Sequence, residues 1–408
     1  MKVLLLGNYP PDAQESMQKF AAVLLRGLQK ADTEAELLQP TPVFGALRPA
    51  RSGVGKWLGY LDKFFVFPTQ LTRRLRAAAA NQLVVHLCDH SQAYYTRWLQ
   101  RVPHLVTCHD VLAIQSARDE VPENPTRWSG RRLQGLIVAG LERARHVACV
   151  SDHTRAELFR LTRVCESRVS VCHNGLNYPF TRLQQTEAQP MVERLLKTAS
   201  VRQGRFAAQG LARPFLLHVG GDAWYKNRIG VLHIFANLCR RVLDPPFLVM
   251  AGKPLEPQLK AFITLHQLDR LVSSLTDCDD AELCALYSSA ELLLFPSLAE
   301  GFGWPIIEAQ ACGCRVVTSR RQPMIEVAGD AAFWCEPADS FRAAKIVCEA
   351  LEESLESRER RIQAGLRNAA RFSTEKMIEN YLGVYQRVTD EGSDRGVRGM
   401  GNNRAPGS

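Results

Sequence analysis

The sequence predicts an α/β protein of two domains, each with a parallel β-sheet covered by helices. Three observations lead to this prediction. The chain has 408 residues, which is enough for two or three separate cores. Short apolar runs alternate with segments whose apolar residues recur at helical spacing, as in β–α–β units. This alternation starts a second time at Pro214, so the second half repeats the architecture of the first but not its sequence.

The first series opens with a strand over residues 2–7 and a helix over residues 16–30. A strand, a turn and a helix in this order are typical of a Rossmann-like unit. The turn lacks Gly-x-Gly-x-x-Gly, so the sequence does not support dinucleotide binding. Further strands are predicted over residues 34–39, 83–88, 104–108, 146–150 and 169–172.

The second series ends in a long amphipathic helix. Its predicted strands cover residues 215–219, 247–251, 292–295 and 315–318, and its predicted helices cover residues 229–241, 281–288 and 375–387. The predicted divisions are an N-terminal domain over residues 1–180, a linker over 181–212 with a helix at 191–198, a C-terminal domain over 213–373, a C-terminal helix over 374–390 and a disordered tail over 391–408.

Charge is distributed unevenly between the two halves. Residues 1–180 hold 23 Lys and Arg against 15 Asp and Glu, whereas residues 213–408 hold 23 against 25. A basic first half favours an anionic partner there, namely a membrane surface, a lipid phosphate or a nucleic acid. No nucleic-acid-binding motif accompanies the basic residues, so nucleic acid ranks last among these partners.

Cysteine usage and hydropathy indicate a cytoplasmic protein. The twelve cysteines are scattered and form no Cys-x-x-Cys pair, so no zinc site is predicted and a reducing compartment is the simplest setting. No apolar run is long enough to span a bilayer, and the run near the N-terminus is too short for a signal peptide.

One stretch, residues 295–313, combines a strand end, a glycine-containing loop, two carboxylates and a helix start. Pro305 suits the first turn of a helix, which places Glu308 in that turn and Glu300 in the preceding loop. Free N–H groups at such a helix start favour a phosphate, and carboxylates accept hydrogen bonds from hydroxyl groups. These residues indicate a sugar-nucleotide site, while a solvated Glu300 and a helix-stabilising Glu308 are the structural alternative.

The stretch from Glu300 to Glu308 also resembles the Glu-x7-Glu element of retaining family 4 glycosyltransferases, with its surroundings PS-x-x-EGFG-x-P-x-x-EA-x-A-x-G. The resemblance implies the GT-B fold, in which two Rossmann-like domains face each other across a cleft and the last helix crosses back onto the first domain. It implies sugar transfer from a nucleotide-sugar donor to an acceptor hydroxyl, with retention and without a metal or other cofactor. It assigns the donor sugar hydroxyls to Glu300, the ribose hydroxyls to Glu308, and further donor contacts to Gly301, Phe302 and Gly303.

Residues 218–227 resemble the phosphate-binding turn of the same family, and the resemblance assigns the departing diphosphate to Lys226. Many relatives have an arginine shortly before this lysine, but this chain does not. Either Arg228 compensates or one charge is missing. A solvated lysine before a helix is the structural alternative. The donor-binding residues implied for this turn are Gly220, Gly221, Lys226 and Asn227.

Residues 106–110 resemble the T-x-HD element of the family. The resemblance makes His109, which stands at a strand end, a catalytic candidate near the donor sugar, and a structural histidine is the alternative. Asp110 could orient His109 or cap the next turn, and the cap is the favoured prediction. Ser151 is predicted to be a helix N-cap. The first loop of such enzymes often carries paired glycines, of which only Gly7 stands here, so Gly7 is a further donor-site candidate.

The sequence and the resemblance together predict a glycosyltransferase of cell-surface glycan or glycolipid biosynthesis. Two alternatives stay open, namely a GT-B sugar-nucleotide epimerase or phosphorylase, and a non-catalytic GT-B protein that binds nucleotide or membrane. The presence of Glu300, Glu308 and Lys226 together argues against the non-catalytic protein.

The acceptor is unknown, and one segment bears on it. Residues 57–68 are the most aromatic part of the chain, and basic residues surround them between positions 51 and 76. Such a segment suits the interface of a membrane, or equally the core face of a helix with a basic edge. If the segment lies at a membrane interface, the protein is peripheral to the cytoplasmic face of the membrane and its acceptor is lipid-linked.

Overall fold

A computed structural model describes residues 1–47, 53–77, 83–203 and 214–400 of the protein. The chain divides into two compact units. One runs from Met1 to Asn177 and takes up the chain again from Thr374, and the other runs from Tyr178 to Ser373.

The N-terminal unit is built on a parallel sheet with the strand order β2-β1-β3-β4-β5-β6. Its strands in the described residues are β1 (Lys2–Leu6), β2 (Glu34–Leu38), β3 (Leu83–Leu87), β4 (His104–Cys108), β5 (His146–Cys149) and β6 (Val169–Val171). Its helices there are α1 (Glu15–Lys30), α2 (Gly53–Leu61), α3 (Phe67–Ala77), α4 (Leu112–Ala117), α5 (Trp128–Arg143) and α6 (Asp152–Leu161). A π-helical turn, Asp62–Val66, joins α2 to α3. The predicted strands are all present, within a residue of their predicted ends.

The C-terminal unit contains a second parallel sheet, with the order β12-β11-β10-β7-β8-β9. The strands that the structure describes are β7 (Phe215–Gly220), β8 (Phe247–Gly252), β9 (Val272–Thr276), β10 (Leu292–Phe295), β11 (Arg315–Ser319) and β12 (Ala332–Cys335). The helices described are α7 (Gln185–Gln203), α8 (Arg228–Cys239), α9 (Pro257–Leu265), α10 (Asp280–Ser289), α11 (Trp304–Ala311), α12 (Met324–Ala328), α13 (Ser340–Leu351) and α14 (Leu355–Ala369). Two parallel sheets between helices confirm the predicted fold class.

The segment predicted as a linker is largely a helix of the C-terminal unit. Helix α7 is longer than the predicted helix at residues 191–198, and it packs against α10 and β9. Its buried residues recur at helical spacing, so this face joins the core and holds the helix on its own unit. They are Ala188, Val192, Leu196 and Ala199. Residues 204–213 of the predicted linker lie outside the described residues.

The last helix, α15 (Thr374–Met400), packs on the N-terminal sheet. The Tyr381 hydroxyl lies 2.9 Å from Thr107 Oγ1, and the Tyr385 hydroxyl lies 2.8 Å from His86 Nδ1. Burial lowers the pKa of His86 to about 3, so the ring is neutral in this contact.

The predicted tail begins too early. The backbone of α15 is helical up to Met400, where disorder was predicted from residue 391. A helix that is already nucleated adds one hydrogen bond for each residue fixed, so the last turns of α15 continue it without a nucleus of their own. Residues 401–408 of the predicted tail lie outside the described residues.

Candidate active site

The turn after β7 is fixed by one asparagine with a left-handed backbone. Asn227 has φ +53° and ends the short 3₁₀ turn Trp224–Lys226 where α8 begins. Its side-chain amide donates to the Pro296 carbonyl at 2.9 Å, which ties the turn to the loop after β10. A Cβ at Gly230 would come within 2.3 Å of that amide, so a side chain there would break the tie. The turn and the loop that sequence reasoning singled out are therefore neighbours.

Lys226 of the turn and Glu300 of the loop form an ion pair at this junction. Lys226 Nζ donates to both carboxylate oxygens of Glu300, at 2.8 and 3.0 Å. The Ser297 hydroxyl donates to the same carboxylate at 2.8 Å. Glu300 is buried, so the cation compensates its charge, and the ammonium also lies 5.2 Å from the centre of the Phe295 ring. The structure therefore excludes the alternative in which the side chains of Lys226 and Glu300 are simply solvated.

Glu308 is buried, and a tyrosine holds it. The Tyr287 hydroxyl, on α10, donates to Glu308 Oε2 at 2.9 Å. Burial, and then the charge of Glu308, raises the pKa of Tyr287, so the phenol stays protonated and remains a donor. Sequence reasoning missed Tyr287, because a tyrosine in an amphipathic helix looks like an ordinary core residue.

The predicted place of Glu308 in the first helical turn is wrong. Helix α11 begins at Trp304, with Gly303 at its N-cap in a conformation with φ +103°, and its first turn holds no acidic residue. Glu308 thus lies one turn further into the helix, on a buried face rather than at the charged end. A glycine at that cap is required, because other residues rarely adopt this φ.

In the N-terminal unit, His109 directly follows β4 and is buried. Its Nε2 donates to the Cys88 carbonyl at 2.8 Å, and the edge of its ring meets Phe20 at a centroid distance of 4.7 Å. The hydrogen bond selects the tautomer with the proton on Nε2, so Nδ1 is the acceptor nitrogen. Burial lowers the pKa of His109 although Asp89 opposes the shift, and the ring is therefore neutral at pH 7.

Two cap predictions for this unit are confirmed. The Asp110 carboxylate accepts the Leu112 N–H at 3.0 Å, and the Ser151 hydroxyl accepts the Thr154 N–H at 3.0 Å at the start of α6. Gly7 is closely packed, since a Cβ there would lie 3.0 Å from side-chain atoms of Leu37 and Gln39.

Comparison with known proteins decides the family. The family model described as "Glycosyl transferases group 1" matches residues 205–368, and the model "Glycosyltransferase Family 4" matches residues 17–178. The chain belongs to the group 1, family 4 glycosyltransferases. Its two parallel sheets are those of the GT-B fold, as the sequence predicted, and its activity is glycosyl transfer.

Among named relatives of this glycosyltransferase is the "O-antigen chain mannosyltransferase B" of Escherichia coli, 25% identical over 284 residues that make up 69% of this chain and 70% of the relative. The "Serotype-specific mannosyltransferase WbdA" of Escherichia coli is 27% identical over 279 residues, but these span 65% of this chain and only 31% of that protein.

Solved structures show the same fold. A sucrose-phosphate synthase from Thermosynechococcus elongatus superposes with a TM-score of 0.71 at 15% identity, covering 96% of this chain and all of the other. Anabaena Alr3699/HepE, in complex with UDP and glucose, superposes with a TM-score of 0.68 at 15% identity and covers 95% of this chain and 99% of its own.

The structure changes what some predicted donor-site residues of this glycosyltransferase can do. The Arg228 guanidinium is buried and donates to the carbonyls of Lys253 and Pro254, at 2.8 and 3.2 Å. It therefore ties α8 to the loop after β8 through both of its terminal nitrogens. The Phe302 ring is buried against Phe372, so only its backbone is available to a donor.

The glycines of the phosphate-binding turn differ in the room around them. A Cβ at Gly220 would lie 3.0 Å from His218 Nε2, whereas at Gly221 the nearest atom would be 3.9 Å away, on Lys253. Gly220 is thus needed for packing, and Gly221 leaves its backbone accessible from the turn. Gly301 and Gly303 follow Glu300 in the loop, and Gly303 alone of these two has a positive φ.

Replacing Tyr287 by phenylalanine is expected to weaken donor binding roughly 2- to 12-fold. The change removes one hydrogen bond, worth about 0.5–1.5 kcal/mol, and leaves Glu308 less firmly oriented. Isothermal titration with the donor, alongside steady-state kinetics, would measure the effect. We expect Kd to rise while kcat stays within about twofold. Tyr178→Phe in the same unit is the control, and an unchanged Kd in Tyr287→Phe would contradict a positioning role.

Proposed function

We propose that this glycosyltransferase transfers mannose from a nucleotide-sugar donor to a hydroxyl group of a growing cell-surface polysaccharide, with retention of the anomeric configuration. The observation that carries the proposal is the buried Lys226–Glu300 pair, which lies in the two segments that the family resemblance assigns to the donor. Several relatives are named mannosyltransferases, and two of these names refer to the O-antigen chain. The structures of Alr3699/HepE with UDP and UDP-glucose support a nucleotide sugar as the class of donor.

In this proposal Lys226 and Glu300 exchange partners when the donor binds. The ammonium turns part of its contact from the carboxylate to the diphosphate, and the freed oxygen of Glu300 accepts hydrogen bonds from the sugar hydroxyls. Ser297 keeps the carboxylate oriented during this exchange. Glu308, held by Tyr287, accepts the ribose hydroxyls.

The chemistry needs no covalent nucleophile on the protein. The leaving diphosphate assists removal of the acceptor proton on the same face of the sugar, and Lys226 stabilises the charge that develops on it. We propose that His109, as a neutral imidazole, hydrogen-bonds the donor sugar beside the reacting carbon. The acceptor is lipid-linked in this proposal, and transfer takes place at the cytoplasmic face of a membrane.

A panel of donors tests the reaction. Thermal shift with GDP-mannose, UDP-glucose, UDP-N-acetylglucosamine and ADP-glucose identifies the base, and mass spectrometry with NMR of the products identifies the bond and its anomeric configuration. We expect GDP-mannose to raise the melting temperature most and to yield an α-linked product. Epimerised donor, phosphorolysis or an inverted linkage would overturn the proposal. A product that carries another sugar would overturn the assignment of mannose alone.

A further inference from the structure

An exposed apolar face lies on the N-terminal unit. Between residues 43 and 65, the described residues include seven large apolar side chains that are exposed to solvent. They are Val43, Phe44, Leu47, Val54, Trp57, Leu61 and Phe65. Leu47, Trp57 and Phe65 are each about 70% exposed, at 72%, 69% and 70%. Large aromatic side chains are seldom so exposed together without a partner, and a patch of this kind marks an interaction site.

Four of these seven residues, here called the apolar face, lie on one side of a helical segment for a geometric reason. Val54, Trp57, Leu61 and Phe65 follow one another at intervals of three or four residues along α2 and the π-helical turn, which puts them on the same side of the helix. The short turn Gly45–Leu47 packs against α2, so the other three exposed residues belong to a loop that contacts the same helix. The opposite side of the same helical segment is buried at Gly59, Asp62 and Phe67.

Asp62 fixes the loop over residues 43–45 to the helical segment that carries the apolar face. Its carboxylate is completely buried and accepts the N–H groups of Val43, Phe44 and Gly45, at 3.1, 2.9 and 2.8 Å. It also accepts the Tyr9 hydroxyl at 2.7 Å. The loop that carries Phe44 and Leu47 is therefore fixed to the helix by charge-assisted hydrogen bonds. The apolar face is thus built into the unit.

Positive charge lies along the same helical segment. Lys56, Arg73 and Arg76 are exposed, and the ion pairs found among the described residues include none of them. Lys63 and Arg74, by contrast, already pair with Asp12 and Glu36. The unit carries most of the basic excess of the chain, so its field attracts an anionic surface.

We propose that the apolar face docks on an anionic lipid bilayer, with Trp57 and Phe65 at the level of the headgroups and with Lys56, Arg73 and Arg76 on lipid phosphates. Exposed rings flanked by unpaired cations match the chemistry of that interface, where apolar burial and attraction to anionic lipid act together. A second protein with an acidic rim is the rival occupant, but aromatic and aliphatic side chains next to exposed Lys56, Arg73 and Arg76 suit anionic lipid better. No helix in the described part of the chain is long and apolar enough to cross a bilayer. The inference deepens the lipid-linked acceptor of the proposed function and rests on it for its biological purpose.

The test is co-sedimentation of the full chain with phosphatidylcholine vesicles, with and without phosphatidylglycerol. The protein should bind only the anionic vesicles, and added salt should weaken that binding. The Trp57→Ser/Phe65→Ser variant should lose at least about tenfold in affinity, because burying each ring contributes strongly to partitioning. Trp128→Ser, at a tryptophan that is 68% exposed on α5, is the matched control and should bind as the unmodified protein does.

The charges are tested separately. Arg73→Gln/Arg76→Gln should reduce binding to anionic vesicles roughly 20- to 30-fold, since each cation near an anionic surface contributes about a fivefold factor. Arg101→Gln/Arg143→Gln removes the same net charge from exposed positions elsewhere in the unit and should have a smaller effect. Thermal unfolding verifies that each variant is folded.

Three results would overturn the proposal. The first is no binding to anionic vesicles at low salt. The second is an equal loss of vesicle affinity in Arg73→Gln/Arg76→Gln and Arg101→Gln/Arg143→Gln. The third is unchanged vesicle binding of the Trp57→Ser/Phe65→Ser variant. If sedimentation velocity showed a dimer that this variant dissociates, the apolar face would be a contact between two copies instead. Vesicle binding requires no transfer activity, so it can succeed where the donor panel fails, and the two proposals can be judged apart.

Discussion

Replacing Glu300 by alanine is expected to reduce the turnover of sugar transfer roughly 10²- to 10³-fold, with a smaller loss of nucleoside diphosphate affinity. Losses of that size follow removal of one preorganised polar group at a reacting centre. Glu300 is such a group, because Lys226 and Ser297 hold its buried carboxylate at hydrogen-bonding distance. The removal also frees Lys226, whose ammonium then remains available to the diphosphate.

The measurement compares kcat for transfer with the Kd of the nucleoside diphosphate, which lacks the sugar. Glu300→Gln is informative, because it keeps the shape and one acceptor while removing the charge. Glu349→Ala, at an exposed glutamate 3.8 Å from Lys345, is the matched control and should change neither quantity. An equal loss of turnover and of diphosphate affinity in Glu300→Ala would mean that Glu300 acts on the diphosphate end of the donor.

Replacing Glu308 by alanine should weaken donor binding by about 1.5–3 kcal/mol, or roughly 10- to 150-fold, because a charged acceptor for the ribose hydroxyls is lost. Here the nucleoside diphosphate and the complete donor should lose affinity to the same degree. This pattern separates Glu308 from Glu300, whose removal is expected to spare the diphosphate.

The Glu308→Ala variant is also expected to be less stable, and this loss of stability must be distinguished from the loss of donor affinity. Without Glu308, the buried Tyr287 hydroxyl lacks its carboxylate partner, which should cost about 1–3 kcal/mol of stability. Tyr287→Phe/Glu308→Ala removes both polar groups and should recover part of that stability without recovering donor affinity. Titrating folded Glu308→Ala with the donor measures its affinity, and Glu352→Ala, at an exposed glutamate, is the control. Unchanged donor affinity in folded Glu308→Ala would exclude the ribose assignment.

The strands that sequence patterns missed share one property. β9 and β12 are the two edges of the C-terminal sheet, and no strand was predicted at either position. β9 reads Val-Ser-Ser-Leu-Thr, so its polar residues interrupt the apolar run that identifies a buried strand. Central strands such as β10 are apolar throughout and were predicted with their full extent. β9 is nevertheless buried at residues 272–275, where α7 packs against it, so its serines lie in the interior. β12 reads Ala-Phe-Trp-Cys, and its composition does not account for its absence from the prediction.

Sequence by itself determined the two parallel sheets, the family, and the segments around Lys226, Glu300 and Glu308, because apolar runs and a long motif are local properties. Tertiary structure alone decided which groups pair. The bond between Lys226 and Glu300 joins residues 74 positions apart, and Tyr287 reaches Glu308 from a different helix. Only the tertiary structure shows that the aromatic segment near Trp57 presents an apolar side to solvent. Hydrophobic periodicity specifies that a helix has an apolar face, but only the packing of the whole unit determines whether that face is covered.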